Sequence, residues 1–401
     1  MFYIFNNIKD KFILESVIKA NDTRDINDVF IAKSNLITFS TKWKLTGNLW
    51  KMYILYTLIH NDNPYTRAIE KNQKVSGDDS LIMEDLKKYY DLYNLNIDFI
   101  KEIKNYTFLK ETGSHYVRDL LLELNEEVDN KDFNTFKDRI INFYKTKGLS
   151  DMAIYKAFRV NDGLLMPIKH VLEISFDDLI GYEEHKKILC DNTEEFINGR
   201  PYNNVLLYGD AGTGKSSSVK ALINKYFDQG LRIIEVYKHQ MKEISRIIDT
   251  LKSRPYYYII YMDDLSFEED EIEYKYLKSI IEGGIEPKPN NVVIYATSNR
   301  RHLIKESFKD NGDIMDDLHR NETEAEKLSL AYRFGIKIFY SSLTPSEFKN
   351  MVIELARRND ITIDTDLLLK EANMFQMNNG TLSGRCATQF ISYIFNKYKN
   401  E

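Results

Sequence analysis

Apolar residues recur at helical spacing through roughly the first 165 positions and in short strand-like runs after position 200. In the first region WKMYILYTLIHN (Trp50–Asn61), LIMEDLKKYYDLYN (Leu81–Asn94) and FNTFKDRIINFYKTKG (Phe133–Gly148) predict helices. Phe133, Phe136, Ile140 and Phe143 fall on one face, and Gly148 is a natural stop. SGDDS (Ser76–Ser80) reads as a turn between helices. The Tyr and Phe stripe could form a partner surface, but at this spacing it predicts core. The periodicity loosens over Gly163–Ile174, where Pro167 argues against a continuous helix. A domain boundary is expected there, giving a helical domain over 1–165.

The pattern then alternates. Val205–Tyr208, LRIIEV (Leu231–Val236), YYYIIYMDD (Tyr256–Asp264), NVVIYATSN (Asn291–Asn299) and GIKIFY (Gly335–Tyr340) predict strands. HQMKEISRIIDTLK (His239–Lys252) and EIEYKYLKSIIEGG (Glu271–Gly284) predict helices between them. Such alternation predicts an α/β core, 166–343, with a mainly parallel sheet and helices on both faces. Its ligands bind at the carboxyl ends of the strands. From Thr344 three further helical stretches predict a lid, 344–401, opened by the helix start Thr344-Pro345-Ser346-Glu347.

Composition narrows the class. Of 401 residues 43% are hydrophobic, which suits a globular chain. No apolar run approaches a membrane span, and the N-terminus does not read as a signal peptide. Cys190 and Cys386 are far apart and lack metal-ligand spacing, so a reducing cytoplasm is expected. Lys and Arg balance Asp and Glu at 24 each over residues 1–165, so the net charge of −6 lies in the remainder. Neither part is basic, and nucleic-acid binding, though possible, is not signalled.

The chemistry centres on NNVLLYGDAGTGKSSSVKALI, where G-x-x-x-x-G-K-[ST] is met at Gly209, Gly214, Lys215 and Ser216. The alternative is a glycine turn with no ligand, but the strand before and the helix after disfavour it. Gly209, Asp210, Ala211, Gly212, Thr213, Gly214, Lys215, Ser216 and Ser217 form the expected phosphate cradle. Lys215 reaches the β- and γ-phosphates and the Ser216 hydroxyl holds Mg²⁺. Asp263 is the expected second metal ligand, and Asp264 would orient or deprotonate water. Asn299 can hold that water, or simply close a strand into a turn. Arg300, Arg301 and His302 are either a subunit contact or a solvated turn. Arg333 and Arg385 can each approach a γ-phosphate, or sit as surface arginines.

The order of phosphate loop, MDDLSF, NNVVIYATSNRRHLIKE, EKLSLAYRFGI and LSGRCATQF resembles the AAA+ ATPases. It resembles more closely the bacterial predicted-ATPase family known as domain of unknown function 815. The likeness runs from about Ile174 to the C-terminus, and NPYTRAIEK (Asn63–Lys71) is similar to a stretch upstream in that family. The resemblance implies a P-loop NTPase core with a helical lid, ATP and Mg²⁺ between them, and assembly into an oligomer. It implies Walker A roles for Lys215 and Ser216 and the Walker B role for Asp263. Asp264 takes the place of the usual catalytic glutamate. Asn299 becomes sensor 1, Arg333 an arginine finger, Arg385 sensor 2, and Ile180 and Gly181 adenine contacts.

The chain departs from that pattern at three points. Asp264 is one methylene shorter than glutamate, so slow turnover or help from Glu268 or Glu269 is expected. Asp210 puts a negative charge inside the loop, which predicts weaker affinity. Tyr237–Gln240 (YKHQ) replaces the pore loop, which disfavours polypeptide threading. The expectation is an oligomeric ATPase with an unidentified protein partner on its N-terminal domain. An ATP-dependent switch with little hydrolysis, or a nucleic-acid loader or remodeller, stands as the alternative.

Overall fold

The computed structural model describes residues 2–73, 79–100, 116–267, 273–282, 288–299 and 330–398. They divide into two compact units, Met1–Tyr155 and Lys156–Glu401.

The first unit is helical: α1 (Lys11–Thr23), α2 (Ile26–Trp43), α3 (Leu49–Ile59), α4 (Pro64–Glu70), α5 (Ser80–Tyr93), α6 (Tyr116–Val128), α7 (Phe133–Thr146) and α8 (Ser150–Ile154). Side chains set several of the starts. Asp25 and Asp132 accept first-turn N–H groups of α2 and α7, and Asn63 with Thr66 forms a capping box around Pro64. The aromatic stripe is core: Trp50, Tyr53, Tyr56, Tyr89, Tyr93 and Tyr144 are fully buried. Polar tips find partners, as where the Tyr144 hydroxyl donates to Leu58 O at 2.8 Å and the Trp50 indole N–H to Leu92 O at 2.6 Å. Buried Asp85 accepts the N–H groups of Tyr3, Ile4 and Phe5 and so fastens the N-terminal segment to α5.

The second unit is an α/β sandwich carrying a lid. Its strands are β1 (Ala157–Asn161), β2 (Leu164–Ile168), β3 (Val205–Gly209), β4 (Leu231–Glu235), β5 (Tyr257–Met262), β6 (Val292–Ser298) and β7 (Ile336–Tyr340). They form one sheet in the order β2-β1-β4-β5-β6-β3-β7, parallel except for β2. β5 and β6 are almost wholly buried, as their unbroken apolar runs require.

The expected boundary near 165 is corrected here. β1 and β2 extend the sheet beyond β4, so the division falls at Tyr155/Lys156. Asp162 (φ 49°) and Gly163 (φ 72°) turn the chain between them. Asp-Gly between two apolar runs is a hairpin signal, but each run is only five residues long.

Helices α9 (Glu183–Ile197), α10 (Lys215–Tyr226), α11 (Ile244–Leu251) and α12 (Glu273–Glu282) are the core helices among the described residues. The helix expected over His239–Lys252 starts as a 3-10 turn, Lys238–Glu243, and becomes α-helical only at Ile244. The lid is α13 (Pro345–Arg358), α14 (Thr365–Asn379) and α15 (Gly384–Tyr398), packed round Phe348, Val352 and Phe390. Most of the SGDDS turn, Glu268, Glu269, Arg300, Arg301 and His302 lie outside the described residues.

Candidate functional site

β3 lies between β6 and β7 with its backbone paired on both sides, so the loop leaving it starts from a fixed point. Gly209 has φ +127°, and a Cβ there would meet Tyr340 O at 2.1 Å; only glycine fits. The chain then curls through Gly212 (φ +78°) and Gly214 (φ +96°) into α10. The Thr213 hydroxyl closes the curl by donating to Asp210 O at 2.8 Å. Lys215, 5% exposed, donates to the carbonyls of Gly209 (2.9 Å) and Asp210 (2.6 Å). Burial lowers its pKa, against the opposing pull of Asp210, Asp264 and Asp263. A cation held on carbonyls at the mouth of a glycine curl is poised for an anion.

The end of β5 supplies the acids. Asp263 Oδ1 accepts from the Ser216 hydroxyl and from the Thr297 hydroxyl, each at 2.6 Å. Desolvation raises the Asp263 pKa, but the hydrogen bonds from Ser216 and Thr297 outweigh it and leave the carboxyl below its usual range. Asp264 adopts φ 51°, and its N–H donates to Thr297 Oγ1 at 2.9 Å. Its carboxylate accepts from Asn299 Nδ2 at 2.7 Å. Thr297 therefore ties both acids to β6. Sequence reasoning passed it over, although strand alternation from Asn299 puts the two on one side.

The lid closes the other side. Arg385 N–H donates to Gly212 O at 3.1 Å, which brings the start of α15 onto the phosphate loop. Between loop, acids and lid lies a cleft of about 650 Å³. Ala211, Gly212, Thr213, Gly214, Lys215, Ser216 and Ser217 line it, with Asp263, Asp264, Asn299 and Arg385. Ile180 and Gly181 line it too, with Met351 and Leu355 of α13. Thr388 and Gln389 join Arg385 on one face of α15, a spacing of three and four that could have revealed them.

Three expected residues are not among the described residues lining the cleft. Gly209 lies beneath the loop. Asp210 turns its carboxylate outward, where Oδ2 accepts from Ser342 N (2.7 Å) and Ser342 Oγ (2.6 Å). Those bonds hold its pKa below the carboxylate range. The charge expected inside the loop is thus directed away from it. Arg333 is half-buried just before β7, its N–H on Leu330 O.

The donor set suits a small hard cation. The Ser216 hydroxyl and Asp263 carboxylate, 2.6 Å apart at the loop, offer two oxygens and leave room for water and phosphate oxygens, as Mg²⁺ prefers. Among the described residues no cluster of three or more His, Cys, Asp or Glu forms a self-sufficient metal site.

A phosphate-loop strand inside a parallel sheet, an acid pair ending β5, Asn299 after β6 and a helical lid bearing Arg385 define an AAA+ P-loop fold. The chain belongs to the family described as "Protein of unknown function (DUF815)", which matches residues 151–398 and so includes β1 and β2.

A stretch of 76 residues is 32% identical to the replication factor C large subunit of Methanococcus vannielii. It covers 19% of this chain, and the chain spans 15% of that relative's length. The Thermotoga maritima RuvB Holliday junction branch migration motor matches with 16% identity and a TM-score of 0.32, over 55% of this chain and 71% of that one. A RuvB mutant from the same organism matches over the same shares at 16% identity and a TM-score of 0.33. No helix among the described residues is long and apolar enough to cross a membrane.

Proposed function

We propose that the cleft binds ATP with Mg²⁺ and hydrolyses it slowly within an oligomer, coupling the nucleotide to movement of the lid. The observation that carries this is the Ser216–Asp263 contact at the mouth of a glycine curl holding Lys215. Bound Mg²⁺ would supply charge neutralisation at the β- and γ-phosphates. Lys215 exchanges its carbonyl partners for phosphate oxygens. Asp264, steadied by Asn299, orients water on the γ-phosphate. Arg385 reaches the same phosphate from the lid, and Arg333 reaches the site of a neighbouring subunit. Placement of Arg333 outside its own chain's cleft supports a role in trans. Cys190 and Cys386, both buried and free, support a cytoplasmic setting.

One observation favours a second reading, an ATP-dependent switch that barely hydrolyses. The Asp264 carboxylate is short and already engaged by Asn299. Steady-state ATP hydrolysis against protein concentration, with molar mass by light scattering, separates the two. Turnover that rises with concentration alongside ATP-driven assembly supports the oligomeric ATPase. Tight binding by a monomer without turnover supports the switch. A nucleic-acid loader would instead show a salt-dependent shift with single- or double-stranded DNA.

A further inference from the structure

The linker between sheet and lid is four residues, Ser341–Thr344, from the end of β7 to the start of α13. Successive linker residues are tied to different segments beside the cleft. Ser341 O accepts from the Tyr182 hydroxyl at 2.8 Å, and Tyr182 lines the cleft beside Ile180 and Gly181. Ser342 donates twice to Asp210, at the phosphate end. Leu343 N–H donates to Leu382 O, joining the linker to the segment that starts α15.

Asp210 is the pivot. Its N–H donates to Tyr340 O at 2.9 Å. Its carbonyl accepts from Lys215 Nζ at 2.6 Å and from Thr213 Oγ1 at 2.8 Å. Its carboxylate holds Ser342. One residue, through its carbonyl and its side chain, therefore joins the phosphate-seeking ammonium to the lid linker. We infer that Asp210 and Ser342 form a clasp through which occupation of the phosphate loop sets the position of the lid. The inference rests on the ATP reading.

The physical sequence is short. A bound phosphate draws Lys215 off the Gly209 and Asp210 carbonyls. The Asp210 carbonyl loses its cationic partner while the Asp210 carboxylate keeps Ser342, so reorientation of this residue is delivered to the linker. A carboxylate suits this task because one oxygen accepts both an N–H and an O–H in charge-assisted bonds. Direct phosphate contact does not account for Asp210, since its carboxylate faces Ser342 and a negative charge in the cradle would oppose ATP. Asp210 and Ser342 are positioning residues.

Hydrogen exchange on the full chain, with and without saturating ATP and Mg²⁺, tests this. In the wild type ATP should slow exchange in α10, in the linker and in α13. In Asp210→Ala saturating ATP should still slow α10, while the linker and α13 no longer respond. Ser342→Ala keeps the backbone donor and should show a partial lid response; it serves as the test if Asp210→Ala does not fold. A full ATP response of α13 in both variants would overturn the clasp. So would a wild type whose α10 responds while linker and α13 do not. A wild type in which α10 itself ignores ATP would instead overturn the ATP reading, and the clasp with it.

Discussion

Lys215, Asp264 and Arg333 separate three steps that a single activity assay would merge. Lys215→Ala removes the cation of the phosphate cradle, so nucleotide binding and turnover should both vanish in a fluorescent-nucleotide titration and a phosphate-release assay. Arg333→Ala should leave affinity nearly intact and lower turnover on the order of 10³-fold, the smaller end of what an arginine finger contributes. Normal hydrolysis by that variant would refute assembly through a shared site. Asp264→Ala should abolish turnover if Asp264 orients the water; unchanged turnover would favour the switch. The placement of Asp263 and Asn299 beside the loop was legible in the sequence because strand ends fix where such side chains project, whereas Arg385 was reached only through the family resemblance. The direction of Asp210 was not. It depends on Ser342, which reaches the loop through the pairing of β3 with β7 more than a hundred residues later.

Among the elements, the phosphate loop is constrained from below and above. Gly209→Ala would press a methyl group against Tyr340 O and should destabilise the second unit by more than about 2 kcal/mol, read from its calorimetric transition. Gly212→Ala meets Arg385 Cβ at 3.0 Å, a contact that the lid can relieve by shifting. An L side chain at φ +78° is strained in any case, so that variant should lose about 1–2 kcal/mol of stability and also lose ATP affinity severalfold. The five core strands were readable from their apolar runs, and the lid from its capping box and helical spacing. The β1–β2 hairpin was missed for a physical reason. Leu164 and Met166 are apolar yet exposed on an edge strand, so the residues of β2 do not alternate between apolar and polar even though their exposure does. Its Asp162-Gly163 turn was the better signal.

At the scale of the whole chain, the two units should respond differently to acid. Trp43 and Trp50 both lie in the helical unit, so tryptophan fluorescence reports on it alone. Burial pushes the His60 imidazole down to about 4, with a backbone bond to Tyr56 and the Asp151 charge opposing. The unfolded imidazole takes up its proton below about pH 6.5 and the folded one only near 4, so acidification across that window favours unfolding, by up to about 3 kcal/mol. A urea series followed by fluorescence should show this loss between pH 6.5 and 4, and His60→Gln should flatten it.

The central claim concerns the other unit, and calorimetric titration of ATP into the full chain, with and without Mg²⁺, tests it most directly. One ATP per chain, bound more tightly with Mg²⁺, with the Mg²⁺ gain removed by Asp263→Asn and all binding removed by Lys215→Ala, is the expected result. Heat of binding that persists unchanged in Lys215→Ala, or no binding by the wild type, would contradict the account.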